Sequence, residues 1–246
     1  MIKIGVADYG MNVWEGALYD YKYRLEVLKG IGYDGLERLE AKNQTEAIEF
    51  SADAKALGMD FATCRATCPM ETLRFSAALG KKYVWTESSS NDFETFCRQT
   101  NHQARVAARF GVKVGLHNHL GLIVETHEQL DEFMKKCPEC GLILDVGHLA
   151  AAGGDPLKAI SDYADRIVMV HVKDFVYKDK DAKNWWDRLG FCELGAGEMG
   201  DLNKEILFAI KKVGYNGWIC VEHDAHLREP IEDLKISREY IKSCGL

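Results

Sequence analysis

Residues 113–148 read KVGLHNHLGLIVETHEQLDEFMKKCPECGLILDVGH, and this stretch decides the fold. Two short apolar runs, Lys113–His119 and Gly141–Val146, predict strands, and both lead directly into polar side chains. Between them, apolar residues recur with a helical period over Thr126–Cys137, which begins with the Thr-x-x-Gln spacing of a capping box. Strand, helix and strand in this order predict two parallel strands joined by a crossover helix.

The same alternation continues along the whole chain. The predicted strands are Ile2–Tyr9, Gly35–Glu40, Asp60–Arg65, Lys82–Glu87, Lys113–His119, Gly141–Val146, Ile167–Lys173 and Gly217–Glu222. The predicted helices are Tyr21–Gly30, Thr45–Leu57, Glu71–Leu79, Asp92–Phe110, Thr126–Cys137, Asp155–Asp165, Leu202–Val213 and Pro230–Ser243. Eight such units in 246 residues favour an α/β fold, a (β/α)8 TIM barrel with parallel strands, over an open doubly wound sheet. Because no linker divides the chain, we expect one TIM-barrel domain over residues 1–246.

Composition excludes several classes of protein. Lysine and arginine number 31 against 38 aspartates and glutamates, and the net charge of −7 argues against a nucleic-acid surface or an anionic membrane surface. No apolar run is long enough to span a bilayer. The first eight residues resemble a strand and not a signal peptide, so we expect a cytoplasmic protein.

Two local motifs suggest sites that their context does not support. Cys137 and Cys140 have the spacing of half a zinc knuckle, but a second such pair is missing, so the eight cysteines are interpreted as free thiols. Gly195–Gly200 matches GxGxxG, yet the residues before it are polar and do not form a buried strand. We interpret this segment as a flexible loop and not as a dinucleotide site.

Titratable side chains gather where the later strands end. In a TIM barrel these carboxyl ends form one mouth, where the chemistry takes place. Five of the eight histidines stand in or just past the last four predicted strands. The candidate residues are Glu37, His117, His119, Asp145, His148, His171, Lys173 and Glu222. Imidazoles and carboxylates that converge on one mouth favour one divalent metal ion, Mn, Zn, Co or Fe, with Mg also compatible.

Three segments resemble a known family. They are Leu144-Asp145-Val-Gly-His148-Leu-Ala-Ala-Ala-Gly-Gly-Asp-Pro156, His171-Val-Lys173-Asp174, and the strand that ends in Glu222. They resemble the sugar isomerase/epimerase superfamily of xylose-isomerase-like barrels, which includes ketose 3-epimerases, inosose dehydratase and endonuclease IV. Residues 117–156 are most similar to inosose dehydratase.

The resemblance implies a ligand set and a chemistry. It makes Asp145, His171 and Glu222 metal ligands, while His117 stands where many relatives have a glutamate. His117 is then either the fourth ligand or a base, with water completing the metal shell. Glu222 doubles as the base that removes a proton next to a carbonyl, and His119 or His117 carries the other proton.

The remaining candidates would contact the substrate. His148 and Lys173 would hydrogen-bond its oxygens or stabilise developing negative charge, and Glu37 would bind a sugar hydroxyl or else form a salt bridge. Trp14 and the Trp185–Trp186 pair lie in predicted loops, where they would stack on a sugar ring or pack under the loop.

These expectations combine into one predicted function and two alternatives. The chain is predicted to be a metal-dependent isomerase or epimerase of a sugar or keto-sugar that acts through an enediolate. An inosose-dehydratase-like lyase acting on a keto-polyol is the alternative, set second because the chain is shorter than we expect for those enzymes. An endonuclease of the apurinic-site type is disfavoured by the acidic charge. A phosphorylated substrate and a homo-oligomer both stay open.

Overall fold

The computed structural model describes residues 1–18 and 20–246, and its centre is a curled sheet of eight parallel strands. These strands are β1 (Lys3–Ala7), β2 (Gly35–Glu40), β3 (Asp60–Arg65), β4 (Tyr83–Trp85), β5 (Lys113–His117), β6 (Gly141–Asp145), β7 (Ile167–Val172) and β10 (Trp218–Glu222). They pair in the order β3-β2-β1-β10-β7-β6-β5-β4. The Thr63 hydroxyl of β3 donates to the Tyr83 carbonyl of β4 at 2.5 Å, across the one seam without a strand ladder among the described residues. The predicted TIM barrel is therefore confirmed as a nearly closed barrel.

Helices cover the outside of the barrel. The eight predicted helices are present as α2 (Tyr21–Ile31), α3 (Gln44–Ala56), α4 (Pro69–Ala78), α5 (Phe93–Ala108), α6 (His127–Lys136), α8 (Pro156–Tyr163), α10 (Gly200–Lys212) and α11 (Pro230–Ser243). Thr126 caps α6 with the predicted capping box, because its side chain and that of Gln129 each accept from the other's backbone N–H. No helix in the described part of the chain is both long and apolar enough to cross a membrane.

The barrel interior is a packed core below the mouth. Side chains from six strands fill it, and they are Ala7, Ala62, Tyr83, Ile143, Met169 and Cys220. A larger apolar layer lies between the strands and the helices. All eight cysteines are free thiols. The filled interior leaves only the strand ends available for polar chemistry.

Short elements that the sequence pattern did not predict surround the mouth. Helix α1 (Tyr9–Trp14) follows β1, and helix α7 (Val146–Ala151) follows β6. The chain after β7 forms an antiparallel hairpin of β8 (Asp174–Tyr177) and β9 (Leu189–Cys192). The short helix α9 (Trp185–Arg188) lies between the two strands of this hairpin.

The segment Gly195–Gly200 forms a loop up to the start of α10, as predicted, and its backbone is hydrogen-bonded to the hairpin. The buried Asp174 carboxylate accepts from the backbone N–H groups of Gly195 and Met199, both at 2.9 Å. The Glu198 N–H also donates to the Phe175 carbonyl at 2.7 Å. These bonds hold the loop against the hairpin, where a Cβ at Gly197 would overlap the Phe175 carbonyl oxygen, so close packing explains this glycine.

Candidate active site

Four strands each place a residue at or next to their carboxyl end at one buried point at the mouth of the barrel. They are His117 from β5, Asp145 from β6, His171 from β7 and Glu222 from β10. We call this group the inner cluster. Each of its members offers a ligand atom, and these atoms all lie within 4.8 Å of one another. The structure thus brings together all four residues that the sequence nominated as metal ligands.

The distances within the inner cluster fit a metal centre. His171 Nδ1 lies 3.0 Å from Glu222 Oε2 and 3.2 Å from His117 Nε2, and His117 Nε2 lies 3.4 Å from Asp145 Oδ2. The buried Oε2 of Glu222 makes no hydrogen bond of acceptable geometry, although cationic groups surround it. Two imidazole nitrogens and two carboxylate oxygens that converge in this way match the donors that Mn, Zn, Co and Fe accept.

The local structure around Asp145 fixes its orientation. Its Oδ1 accepts from the His148 N–H at 2.7 Å and so caps α7, which leaves Oδ2 to face the cluster. The Asn118 side chain bridges the two strand ends, because it accepts from the Asp145 N–H and donates to the Asp145 carbonyl, both at 2.9 Å. A ligand held by three such bonds is pre-oriented for a cation.

Glu37 lies behind the inner cluster. It is buried, with its Oε1 accepting from the Trp85 indole N–H at 2.8 Å and its Oε2 3.2 Å from His171 Nε2. A carboxylate on the far nitrogen of a ligating imidazole orients that ring and increases its basicity. The geometry therefore gives Glu37 the position of a residue that orients the His171 ring, and of the two roles predicted for Glu37 the structure shows an ion pair.

A second group of side chains lies directly beside the first and consists of His119, His148, Lys173 and Asp224. We call it the outer cluster. Lys173 Nζ lies 2.8 Å from His148 Nε2 and 3.0 Å from Asp224 Oδ2. Asp224 also faces His119 Nε2 at 3.0 Å and His148 Nε2 at 3.2 Å. Lys173 links the two clusters, since its Nζ is 2.9 Å from Asp145 and 3.0 Å from Glu222.

Asp224 is the one member of these clusters that sequence reasoning did not nominate. A signal for it exists in the two-residue spacing of extended chain, where alternate side chains share a face. Three pairs follow that spacing, and they are His117 and His119, His171 and Lys173, and Glu222 and Asp224. In each pair the first residue belongs to the inner cluster and the second to the outer cluster.

Burial and charge set the protonation states of the inner cluster. Burial lowers the pKa of His117 to about 4, so this imidazole stays neutral with a lone pair to offer. Burial also opposes charge on His171, but Glu222 and Glu37 outweigh it and raise the His171 pKa well above 6.5. Burial alone would raise the pKa of Glu222, yet the charges of His171 and Lys173 hold it far below 4.5. Glu222 is therefore a carboxylate at neutral pH.

The outer cluster combines an acid with a neutral imidazole. Burial opposes charge on Lys173, but Asp145 and Asp224 raise its pKa above 10.5, so it stays an ammonium. Burial and the neighbouring Lys173 lower the pKa of His148. For His119 the hydrogen bond to Asp224 outweighs burial and raises the pKa above 6.5. His119 and His148 stack with ring centroids 3.7 Å apart, so an imidazole with a raised pKa and one with a lowered pKa lie in contact.

Of the three tryptophans predicted near the mouth, Trp185 contacts the outer cluster, whereas Trp14 and Trp186 are exposed. Trp185 packs edge-on against both His119 and His148, with centroids 5.3 and 5.7 Å away, and so covers the outer cluster. Trp186 is exposed. Trp14 ends α1 with half of its surface exposed, and none of the contacts among residues 1–18 and 20–246 joins it to either cluster. The short helix α1, which the sequence pattern did not predict, carries Trp14 to this exposed position.

The chain is similar in sequence to curated proteins. The inosose dehydratase of Lactiplantibacillus plantarum is 32% identical over 165 residues, which are 63% of this chain and 55% of that protein. The rhizopine catabolism protein MocC of Rhizobium meliloti is 35% identical over 158 residues, which are 60% of this chain and 48% of that protein. The chain thus spans about half the length of these curated relatives.

Solved structures support the fold across the full chain. The probable 3-DHS dehydratase AsbF from Bacillus anthracis has a TM-score of 0.76 at 14% identity and covers 98% of both chains. The 3-keto-D-glucoside 4-epimerase YcjR from E. coli has a TM-score of 0.71 at 16% identity, covering 99% of this chain and 100% of that one. A sequence profile described as the xylose isomerase-like TIM barrel matches residues 7–244. The resemblance seen in the sequence is confirmed, and the chain belongs to the xylose isomerase-like TIM barrel family.

Proposed function

We propose that this protein is a divalent-metal-dependent enzyme that removes a proton next to the carbonyl of a sugar or keto-polyol. The observation that carries the proposal is the pairing of the inner cluster with the outer cluster, joined by the ammonium of Lys173. Three buried carboxylates, those of Glu37, Asp145 and Glu222, and the largely buried carboxylate of Asp224 surround this ammonium and a set of imidazoles. A divalent cation at the inner cluster would balance this buried negative charge.

The chain's own groups divide the chemistry between them. When bound, the metal would polarise the substrate carbonyl as a Lewis acid. Glu222 is ionised and accepts the proton from the adjacent carbon. Lys173 keeps its proton and donates hydrogen bonds to substrate oxygens, where it stabilises the enediolate charge. His119, whose pKa is raised above 6.5 despite burial by its bond to Asp224, serves as the acid.

The cleft beside the inner cluster supports a substrate that carries many hydroxyl groups. This cleft opens beside His117 and runs between the β4–α5 and β5–α6 connections. Its lining mixes the indole of Trp85 and the apolar side chain of Leu122 with the polar side chains of Ser88 and Asn91. An aromatic face with hydroxyl and amide groups around it suits a ring that carries many hydroxyls.

For the fate of the enediolate we favour dehydration. The electron pair left on the substrate expels the hydroxyl at the next carbon, and this hydroxyl departs as water with the proton of His119. Two observations support this order of events. The strand-five position holds His117 and not a glutamate, so a shuttle between two carboxylates is not available, and the curated relatives named above include an inosose dehydratase.

Isomerisation or epimerisation is the second candidate and keeps the same first step. The specific feature that favours it is the stacked pair of His119, whose pKa is raised, and His148, whose pKa is lowered, with ring centroids 3.7 Å apart. Such a pair could return a proton to the neighbouring carbon or to the opposite face of the same carbon. Both outcomes depend on Glu222 as the base.

Incubation of Mn²⁺-loaded protein with a panel of inososes and ketoses in D2O tests the proposal. We expect deuterium at the carbon next to the carbonyl, and a product lighter by one water if dehydration follows. Glu222→Gln should abolish the exchange, whereas Glu40→Gln, at the exposed end of β2, should not change it. Absence of deuterium from every carbonyl compound in the panel would contradict the proposed first step.

A further inference from the structure

A third buried group of metal-ligating side chains lies behind the mouth, between β10 and α11. His223 and His226 follow the last residue of β10, and Asp233 stands in the first turns of α11. Their side chains are at most 3% exposed, and their donor atoms lie within 4.8 Å of one another. None of them contributes to the inner or the outer cluster. We call this group the rear cluster.

Hydrogen bonding inside the rear cluster is incomplete. His226 Nδ1 bonds Asp233 Oδ2 at 3.0 Å, and the Ser237 hydroxyl donates to Asp233 Oδ1 at 3.3 Å. His223 Nδ1 lies 3.6 Å from Asp233 Oδ1, which is too long for a hydrogen bond. Neither ring nitrogen of His223 completes a hydrogen bond of acceptable geometry, although the ring lies beside the backbone of Cys192. With the Cys192 backbone as its one neighbouring partner, this fully buried imidazole keeps at least one ring nitrogen free to bind a ligand.

The arrangement of donors matches a small transition-metal ion. Zinc bound at about 2.0–2.1 Å by imidazole nitrogen and carboxylate oxygen in a tetrahedral site places neighbouring donors about 3.3 Å apart. The two imidazoles face different oxygens of the Asp233 carboxylate, with His226 Nδ1 3.0 Å from Oδ2 and His223 Nδ1 3.6 Å from Oδ1, and both distances are close to that value. The two rings stand 4.9 Å apart at 74°, so they approach the carboxylate from different directions.

We propose that His223, His226 and Asp233 bind a second divalent ion, zinc by preference, separate from the metal of the inner cluster. Three protein ligands leave one tetrahedral position for a water molecule or a neighbouring group. The inference does not depend on the proposed reaction, because the rear cluster shares no ligand with the inner cluster.

The ion would have a structural role. It would tie the end of β10 to the start of α11, and Asp224 lies in the chain between the two histidines. Glu222, immediately before His223, would be held from the same side. Gly10 of α1 closes the cluster, because a Cβ at Gly10 would overlap the His223 carbonyl and crowd the His226 ring. A metal at the rear cluster would therefore fix one base and one positioning carboxylate of the mouth.

Metal content in a background without the inner site provides the test. Asp145→Asn removes an inner ligand, and His226→Asn removes a rear ligand while its amide nitrogen replaces Nδ1 as the donor to Asp233. After loading with Zn²⁺ and desalting, we expect Asp145→Asn to retain one equivalent and Asp145→Asn/His226→Asn to retain none. Loaded with Co²⁺, the single variant should show the visible bands of a tetrahedral ion, and the double variant should lose them.

Control variants show whether a loss of zinc is specific to the rear cluster or follows from any histidine replacement. They also keep this test independent of the proposed reaction. Asp145→Asn/His102→Asn, which changes an exposed histidine of α5, should keep the equivalent. Asp233→Asn replaces His226→Asn if the latter does not fold. If the Asp145→Asn protein and its His226→Asn derivative bind the same amount of zinc, the rear site is refuted, whatever the outcome of deuterium exchange. If only the rear equivalent is present in the wild type, the proposed reaction fails and this inference stands.

Discussion

Lys173 offers the sharpest test of how the two clusters depend on each other. Its side chain is fully buried, and its Nζ contacts three carboxylates, those of Asp145, Glu222 and Asp224, at 2.9 to 3.0 Å. A Lys173→Met substitution preserves the length of the side chain but removes the only ammonium among them. The carboxylates would then lie buried beside one another without that cation.

The expected cost follows from this geometry. Removal of one partner from a buried ion pair costs roughly 3–5 kcal/mol of unfolding free energy. In a chain of this size each kcal/mol moves the Tm by roughly 2–4 °C, so Lys173→Met should lower the Tm of the metal-free protein by on the order of 10 °C. The loss should be smaller in metal-loaded protein, because a bound cation compensates part of the same negative charge.

The direction in which this stability difference changes with pH also follows from the structure. Burial opposes ionisation of Asp145, but Lys173 and His148 hold its pKa well below 3.8, so its contribution to stability is present above about pH 4 and disappears as the pH falls. Without Lys173 that contribution is smaller, because only the neighbouring histidines then lower the Asp145 pKa. The stability difference between wild type and Lys173→Met should therefore narrow below about pH 4.

Urea unfolding of the metal-free proteins, followed by circular dichroism, measures the difference. Lys3→Met is the matched control, because Lys3 pairs with Asp60 at the exposed bottom of the barrel, where a salt bridge contributes at most about 1 kcal/mol. A Lys173→Met protein that unfolds at the same urea concentration as Lys3→Met would refute the argument that the ammonium holds the mouth together.

Three further perturbations test separate parts of the site. The raised His171 pKa means that metal uptake at neutral pH displaces a proton, so the apparent metal affinity should increase with pH. Calorimetry in buffers of different ionisation enthalpy should detect the released proton. A metal affinity independent of pH would contradict this prediction. Glu37→Gln should weaken metal binding roughly 10–100-fold in a chelator competition, and an unchanged affinity would remove its orienting role. Gly147→Ala should abolish activity, because its Cβ would overlap Cγ of Lys173. The control Gly30→Ala, in an exposed helix, should keep activity and increase the free energy of unfolding by about 0.5–1 kcal/mol, measured by thermal unfolding. An active Gly147→Ala enzyme would contradict the packing.

Regular patterning explains why so much of the barrel was predictable. The predicted bounds of β2, Gly35–Glu40, and β3, Asp60–Arg65, agree with the structure, and the eight predicted helices occupy their predicted segments. Parallel strands buried on both faces carry near-continuous apolar runs that polar residues terminate. The hairpin of β8 and β9 lacks such a run. It is held by contacts such as the Asp174 carboxylate on the following loop, which sequence periodicity does not reveal.

The site was predictable to the extent that it follows strand ends. The inner cluster was predicted from residues at or next to the carboxyl ends of β5, β6, β7 and β10. Asp224 was not predicted, because it lies two residues past β10 and its partners follow other strands. Glu37 was assigned to the mouth, but its depth depends on how Trp85 and His171 pack over it. Dehydration and isomerisation share one enediolate, so residue types alone do not separate them.

Anomalous diffraction from crystals grown with Mn²⁺ tests the central claim most directly. We predict a peak in contact with His117, Asp145, His171 and Glu222, and its loss in Asp145→Ala. A peak that persists at the same place in Asp145→Ala, or the absence of any peak between these four side chains in the wild type, would contradict the claim that this mouth is a metal-dependent active site.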